Sequence, residues 1–554
     1  MERQVKEKWI QGDELLRFIR PVKTLKSRYV LDKLYNHINE STYEICALYG
    51  LRRTGKTVLM KQCIVKLLND KAEINEIAFI TFRKKTGYAD TDLINDIEEL
   101  VKNGIKYIFI DEISYINMEL EDNSLNILSD VYGGMGIKIV IAGTFSYAIK
   151  LLSNDVLFDR VYMINTTYFS FKEANEVFGM NLDEFIMHGG IIRDKAEKPM
   201  KPRDYMKTAI VDNIINSLMK SDKLYDIGYL DPEIDLLIDK KDVKKLEHRL
   251  SVLIKRVIDQ YLKLLMLNKI TREPYKYSDI GNLSDLIRQR SQRENEKNEE
   301  LAVISLDKSK YYEIIARVFG ELDRQRFNKE IFQELIKILK QIGVIEDIQL
   351  QSETVSCFIT NYIRFGLCDE IMKQIDDEVR KETGDRYTRG LADENLKGHI
   401  LEGIVYLDLK HMNSIDFDMH RNADNAEVDL IIKDHESKEM DIYEIKHTPN
   451  VTDEQCKNLL NRDFILEMER DLGFKVRTVN IIYTGEPQVK EINPVELYSK
   501  MFMDAANRNK ENLKEKYRAL EERAKAQKWE AVKIQYINAE HFLKNLDRIN
   551  KQEV

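Results

Sequence analysis

Ile45-Cys46-Ala47-Leu48-Tyr49-Gly50-Leu51-Arg52-Arg53-Thr54-Gly55-Lys56-Thr57-Val58 is the stretch that decides the fold. An apolar run enters Gly50 and a G-x-x-x-x-G-K-[ST] loop follows. Val58, Leu59, Met60, Cys63, Ile64, Leu67 and Leu68 then leave at helical spacing. Strand, glycine loop and helix in that order aim a row of backbone N–H groups at one point, an arrangement that wraps phosphates. Gly50, Leu51, Arg52, Arg53, Thr54, Gly55, Lys56, Thr57 and Val58 are therefore the candidate nucleotide-binding set. Within it Lys56 reaches the outer phosphates and Thr57 ligates Mg²⁺.

Working outward, Tyr107-Ile108-Phe109-Ile110-Asp111-Glu112 reads as a short buried strand ending in two carboxylates. Asp111 at the strand end takes the metal role, and Glu112 is the general base that polarises the attacking water. Ile137-Lys138-Ile139-Val140-Ile141-Ala142-Gly143-Thr144 reads as another buried strand with a polar tip. Two readings of Thr144 stand side by side. It senses the γ-phosphate or positions water, with Ser146 as a substitute, or it caps the next helix.

Together, the Gly50–Thr57 loop, Ile108–Glu112 and Ile139–Thr144 resemble the AAA-type P-loop ATP-binding proteins of bacteria and archaea. The resemblance continues through Phe158-Asp159-Arg160-Val161-Tyr162 and Tyr168-Phe169-Ser170-Phe171-Lys172-Glu173, and ends near His188-Gly189-Gly190. It implies that Arg160 reads the γ-phosphate, across a subunit interface if the protein is a homo-oligomer; the alternative is an ordinary surface arginine.

Composition sets the frame. The chain has 554 residues, 43% hydrophobic and 33% charged, with only 8 Pro and 23 Gly. That length allows three or four domains, and the balance favours helix-rich globular structure over disorder. Five cysteines (Cys46, Cys63, Cys357, Cys368, Cys456) lie far apart without a C-x-x-C pair, which points to neither a zinc ribbon nor a disulfide framework. Met1–Glu7 carries no apolar signal-peptide core, and no run approaches 18 apolar residues. The expected compartment is a reducing cytoplasm, with no membrane partner. A net charge of −9 argues against a uniformly basic coat but leaves room for a local basic groove.

The middle is helical. Leu246, Leu250, Leu253, Val257 and Tyr261 recur at helical spacing, as do residues from Ile331 to Ile342. Arg288–Glu300 is polar throughout and reads as a linker. Two helices, Tyr311–Phe319 and Lys329–Ile342, precede strand-like Val355–Ile359, an order compatible with a winged-helix module. Arg324, Arg326, Lys329, Lys337 and Lys340 either touch phosphates there or form exposed helix faces.

A second constellation lies in the last third. Lys397–Leu407 is a helix with Glu402 beside its apolar stripe. Ala426–Ile432 is a strand carrying Asp429, and after a turn Met440–Lys446 is its hairpin partner. Alternation puts Glu444 and Lys446 on one face. Two carboxylates can hold Mg²⁺, and an ammonium nearby favours deprotonation of water, which is what phosphodiester hydrolysis requires. The same residues read equally as a cross-strand charge pattern on a solvated face. The order resembles the PD-(D/E)xK nuclease superfamily, which implies that Glu402, Asp429 and Glu444 are metal ligands and that Lys446 assists the nucleophile. Gln455, in an expected helix Asp453–Leu460, matches a polar position of that superfamily. Lys475–Gly485 and Val532–Ile537 read as further strands, Lys510–Gln527 as an exposed charged arm, and Ala539–Leu546 as a final helix.

The expectation is a multidomain α/β protein. Residues 1–190 are a P-loop ATPase with a parallel sheet, 191–300 a helical lid and linker, 301–390 a winged-helix-like unit, and 391–554 a restriction-endonuclease-like α/β unit. ATP and Mg²⁺ are the implied cofactors and nucleic acid the implied partner. Two functions remain: an ATP-regulated Mg²⁺-dependent nuclease, or a nucleotide switch whose C-terminal unit binds nucleic acid or a protein without cutting.

Overall fold

In β1 (Ile45–Tyr49) successive side chains part company, Ile45 and Ala47 into one buried cluster and Cys46 and Leu48 into another. A strand buried on both faces must lie inside a layered sheet, and it does. The computed structural model describes residues 9–40, 45–70, 72–82, 90–113, 128–143, 161–192, 200–219, 221–271, 308–320, 329–350, 354–384, 390–412, 414–422, 426–507 and 511–551.

The first sheet adds β2 (Ile77–Thr81), β3 (Tyr107–Asp111), β4 (Lys138–Ala142) and β5 (Val161–Asn165), all parallel, in the order β2-β3-β4-β1-β5. Helices α1 (Gly12–Ile19), α2 (Val30–Glu40) and α3 (Lys56–Asn69) cover one face. Helix α4 (Asp90–Lys102) covers the other through Leu93, Ile97 and Leu100. The chain leaves β1 toward β2, returns through β3 and β4, and crosses to β5 on the far side. Open α/β sheets bind ligands at the carboxyl ends of strands beside such a reversal.

After β5 come α5 (Phe171–Phe178) and α6 (Leu182–His188), begun by Ser170 and Asn181, whose side chains accept from the Glu173 and Glu184 amides. Short helices between Pro202 and Asp239 lead into the long α7 (Val243–Thr271). Then α8 (Lys308–Gly320), α9 (Lys329–Gln341) and an antiparallel hairpin of β6 (Ile345–Gln349) and β7 (Thr354–Phe358) follow in turn. Strand β6 has no expectation behind it, because Ile-Glu-Asp-Ile-Gln is too polar to read as a strand. Helices α10 (Asn361–Thr383) and α11 (Gly390–Met412) close the middle.

The second sheet has six strands in the order β12-β13-β11-β10-β9-β8. Strands β8 (Asp416–Arg421), β9 (Glu427–Asp434) and β10 (Glu439–Ile445) form an antiparallel meander. Helix α12 (Arg462–Leu472) then returns the chain to β11 (Lys475–Tyr483), parallel to β10. Strand β12 (Gln488–Ile492), helices α13 (Pro494–Asn507) and α14 (Glu511–Ala526), β13 (Val532–Asn538) and α15 (Ala539–Lys544) complete the unit.

Two expectations change here. Asp453–Leu460 is not a helix: only Asp453–Cys456 forms a 3₁₀ turn, fixed by a capping box between Thr452 and Gln455. The charged segment 510–527 is not a free arm either. Tyr517, Ala524 and Trp529 are buried with Tyr498 and Met501 of α13, and the Tyr498 and Trp529 rings meet edge to face. One apolar cluster runs from Leu51 through α5 to α11 and into Leu430, Tyr443 and Phe542, joining the N-terminal unit to the C-terminal one. Among the described residues no helix is long and apolar enough to cross a membrane.

Candidate nucleotide site and C-terminal carboxylate cluster

Positive φ angles shape the loop between β1 and α3: Gly50 at 139°, Arg53 at 60° and Gly55 at 89°. Gly50 is required twice over, since a Cβ there would stand 2.6 Å from Thr166 Oγ1 and 2.9 Å from Thr167 Oγ1. Lys56 opens the helix and its ammonium donates back to the Gly50 and Leu51 carbonyls at 2.9 and 2.8 Å. Burial lowers its pKa to about 8, against the upward pull of Glu112 and Asp111.

Across the sheet, the C-terminal end of β3 delivers Asp111 to the same place. The Thr57 hydroxyl donates to Asp111 Oδ2 at 2.6 Å, and the Glu112 amide donates to Asp111 Oδ1 at 3.0 Å. Burial raises the Asp111 carboxyl, and the Thr57 hydrogen bond works the other way. Glu112 follows at φ 57°, a left-handed turn that takes its half-buried side chain off the strand. The structure thus brings Lys56, Thr57, Asp111 and Glu112 together. Thr144, Ser146 and Arg160 lie outside the described residues.

Several residues that grip this loop carry no motif. The buried Arg28 donates to Thr54 O at 2.8 Å, Thr166 O at 2.7 Å and Tyr168 O at 2.7 Å, and pairs with Glu173 at 2.7 Å. Thr54 Oγ1 meets Thr166 Oγ1 at 2.9 Å, and the Leu51 amide donates to Thr167 Oγ1 at 3.1 Å. From the chain beyond α6, the Ile192 amide donates to Arg53 O at 2.8 Å and the Tyr205 hydroxyl to Arg52 O at 2.6 Å. The Thr166-Thr167 pair at a strand tip was the one visible signal; Arg28 had none.

In the C-terminal unit, β9 supplies Asp429, β10 supplies Glu444, and Lys446 follows one residue beyond β10. Lys446 Nζ lies 2.6 Å from Glu444 Oε1 and 3.4 Å from Asp429 Oδ2, which also accepts from the Ile445 amide at 2.7 Å. The shared face expected for Glu444 and Lys446 is therefore present. Glu402, on α11, stands 3.7 Å from His399 Nδ1 and near enough to act on Lys446. One turn further on, the Tyr406 hydroxyl donates to the Asp429 carbonyl. Burial and the Asp429 charge push the Glu444 carboxyl well above the usual range, and its buried Oε2 has no hydrogen-bond partner. Burial depresses Lys446, but Asp429 and Glu444 outweigh it and hold the ammonium charged.

The ammonium thus sits between the two carboxylates. Among the described residues no group of three or more His, Cys, Asp or Glu side chains is placed to hold a metal ion. Gln455 does not join the cluster, because its side chain accepts from the Thr452 amide at 2.8 Å. Of the basic residues near the hairpin, Lys337 pairs with Glu334 and Lys340 with Asp347, each at 2.5 Å, while Arg324 and Arg326 lie outside the described residues.

A protein family described as an AAA domain matches residues 42–175. No curated protein matches the chain. Among solved structures, the Hsp104–ADP complex of S. cerevisiae aligns at 13% identity over 74% of this chain and 62% of that one, with a TM-score of 0.26. The chain thus spans less than two thirds of the Hsp104 length. A DNA polymerase III gamma subunit-related protein of Thermotoga maritima aligns at 12% identity over 56% and 99%, TM-score 0.20. The Aeropyrum pernix ORC1 protein in complex with DNA aligns at 11% over 64% and 94%, TM-score 0.20. Scores this low carry no functional argument; the family match and the loop geometry do. The N-terminal unit is an AAA-type P-loop domain, a nucleotide-binding α/β fold of the ATPase class.

Proposed function

We propose that this chain binds and hydrolyses ATP in its N-terminal unit and couples nucleotide state to a nuclease-like C-terminal unit that acts on nucleic acid. The contact that carries the first half is Thr57 Oγ1 to Asp111 Oδ2 at 2.6 Å. A hydroxyl and a carboxylate that meet at the mouth of a phosphate loop are the donor set suited to Mg²⁺ beside a triphosphate. Bound there, Mg²⁺ would neutralise charge on the β- and γ-phosphates. The loop amides and Lys56 hold the phosphates, and Glu112 takes the proton of the water that attacks the γ-phosphorus, releasing ADP and phosphate. Thr144 and Arg160 keep their proposed parts at the γ-phosphate, Arg160 across a homo-oligomer interface.

Lys56→Ala is expected to lose ATP binding in calorimetric titration. Glu112→Gln should bind ATP yet release phosphate about 10²-fold more slowly or worse. Full turnover by Glu112→Gln would reject the base assignment.

The proposed units are 1–190, 191–300, 301–390 and 391–554. Support for the winged-helix reading is the succession α8, α9, then a β6–β7 hairpin. Support for the nuclease-like reading is a helix bearing Glu402, an antiparallel meander bearing Asp429 and Glu444, a helix, and a strand parallel to β10. In that reading Glu402, Asp429 and Glu444 ligate Mg²⁺ and Lys446 assists the nucleophile. The Lys446 ammonium between Asp429 and Glu444 favours the second reading, a switch that binds nucleic acid or a protein without cutting it. A nuclease assay with Mg²⁺ or Mn²⁺, with and without ATP, decides between them. Cleavage lost in Lys446→Ala while ATP turnover persists supports the nuclease; saturated binding without nicking supports the switch.

A further inference from the structure

The AAA unit reaches the rim of the carboxylate cluster with one acidic side chain. Asp183, in the first turn of α6, places Oδ1 3.2 Å from Lys397 Nζ on α11 and 3.2 Å from His447 Nε2, the residue after Lys446. Next to Asp183, the Leu182 amide donates to Glu540 on α15 at 2.9 Å, so the start of α6 is seated on the C-terminal unit. Gly398 lies opposite His447: a Cβ added there would be 3.8 Å from the His447 Cβ. Helix α11 and the end of β10 therefore converge on one point from two sides.

Two N–H-bearing groups aimed at a single anionic oxygen make a small anion site. Lys397 and His447 are largely buried, at 24% and 11% side-chain exposure, whereas Asp183 is 57% exposed. The donors belong to the built surface, and the carboxylate reaches them from outside. Burial depresses the His447 imidazole, so it serves as a polar group and Lys397 supplies the charge. On the far side of the point stand Lys446 and the Glu402–Asp429–Glu444 carboxylates, so an extended ligand lying here is one residue from that cluster.

We propose that Lys397 and His447 form a subsite for a backbone phosphate of a nucleic-acid strand, and that Asp183 occupies it as an internal stand-in. The strand enters by displacing Asp183, which places its neighbouring phosphodiester at Lys446. Because α6 belongs to the AAA unit, the subsite opens when that unit shifts on the C-terminal one. This inference rests on the nucleic-acid reading of the C-terminal unit and assigns where its ligand first docks.

The test is fluorescence anisotropy of labelled single-stranded DNA, single-stranded RNA and duplex DNA on the full chain, across a salt series. Asp183→Asn should tighten binding about two- to fivefold. It should also steepen the slope of log K against log salt by about 0.7 for single strands and 0.9 for duplex, one additional phosphate contact. Lys397→Gln in the Asp183→Asn background should cancel both gains, with thermal melts reporting that each protein is folded. Binding that ignores Asp183 and Lys397 overturns the subsite alone. Failure of every protein to bind any of the three oligonucleotides overturns the nucleic-acid reading and the subsite with it.

Discussion

At the scale of single residues, Arg28 sets the phosphate loop more than any loop residue does. Its guanidinium serves three carbonyls and a buried carboxylate at once, a geometry that only a planar, multi-donor cation supplies. Removing it leaves Glu173 charged and buried without its partner, a loss of about 3–5 kcal/mol. Arg28→Ala should accordingly lower the urea midpoint sharply and weaken ATP binding, because Thr54 O loses its anchor. Arg28→Lys should restore part of the stability and little of the affinity. An Arg28→Ala protein with a wild-type urea midpoint would show that the loop holds itself. A methyl group at Gly50 attacks the same contact from the other side: Gly50→Ala collides with Thr166 and Thr167 at a φ that alanine avoids. ATP affinity is expected to fall in that variant with little change in the rest of the fold, measured by titration beside a melt.

Elements show what the chain disclosed and what it withheld. Strands β1, β3 and β4 were legible because each is an apolar run buried on both faces, and the helix after Lys56 because its apolar residues recur every three or four positions. Strands β6 and β12 alternate charged and apolar residues over five positions, too few to separate from loop. The arm at 511–526 looked solvated because most of its residues are, and three buried side chains suffice to dock it. Asp429, Glu444 and Lys446 could be placed from hairpin alternation, whereas Arg28, Asp183 and His447 act through contacts across 26 to 264 residues. Helix α11 holds another such case. Asp408 is buried, accepts from the Tyr168 hydroxyl and from the Phe171 amide at 3.0 Å, and burial pushes its carboxyl up to about 7. A carboxyl raised on folding binds more protons folded than unfolded between about pH 4 and 7, so its contribution falls as pH rises through that window. A shift of that size corresponds to at most roughly 4 kcal/mol. Asp408→Asn should then be more destabilising, relative to wild type, at pH 5 than at pH 8. Parallel melting curves across that range would remove Asp408 from the pH dependence.

For the whole molecule, the decisive question is whether the phosphate loop and α11 respond to each other. They are joined by short steps: Thr54 O to Arg28, Arg28 to Tyr168 O, the Tyr168 hydroxyl to Asp408, with Glu402 less than two turns earlier on the same helix. The Tyr168 ring also stacks on His411 at 3.9 Å, and His411 and Lys410 both meet Glu346 of the β6–β7 hairpin, at 3.0 and 2.6 Å. A movement of the 166–171 segment therefore cannot leave α11 or the hairpin untouched, because buried polar groups must keep their partners. Contiguity alone is not coupling; coupling is a free energy, typically 1–3 kcal/mol, and it is reciprocal. Hydrogen exchange measures it without any assumption about cleavage. Exchange of the α11 amides from about residue 400 onward should differ by about fivefold or more between the ADP-bound and non-hydrolysable-ATP-bound chain. Tyr168→Phe removes the hydroxyl but keeps the ring, so it should bind both nucleotides and lose that difference. Equal α11 exchange in the two nucleotide states, with binding verified at the same time, would mean that the joined units carry no message between them.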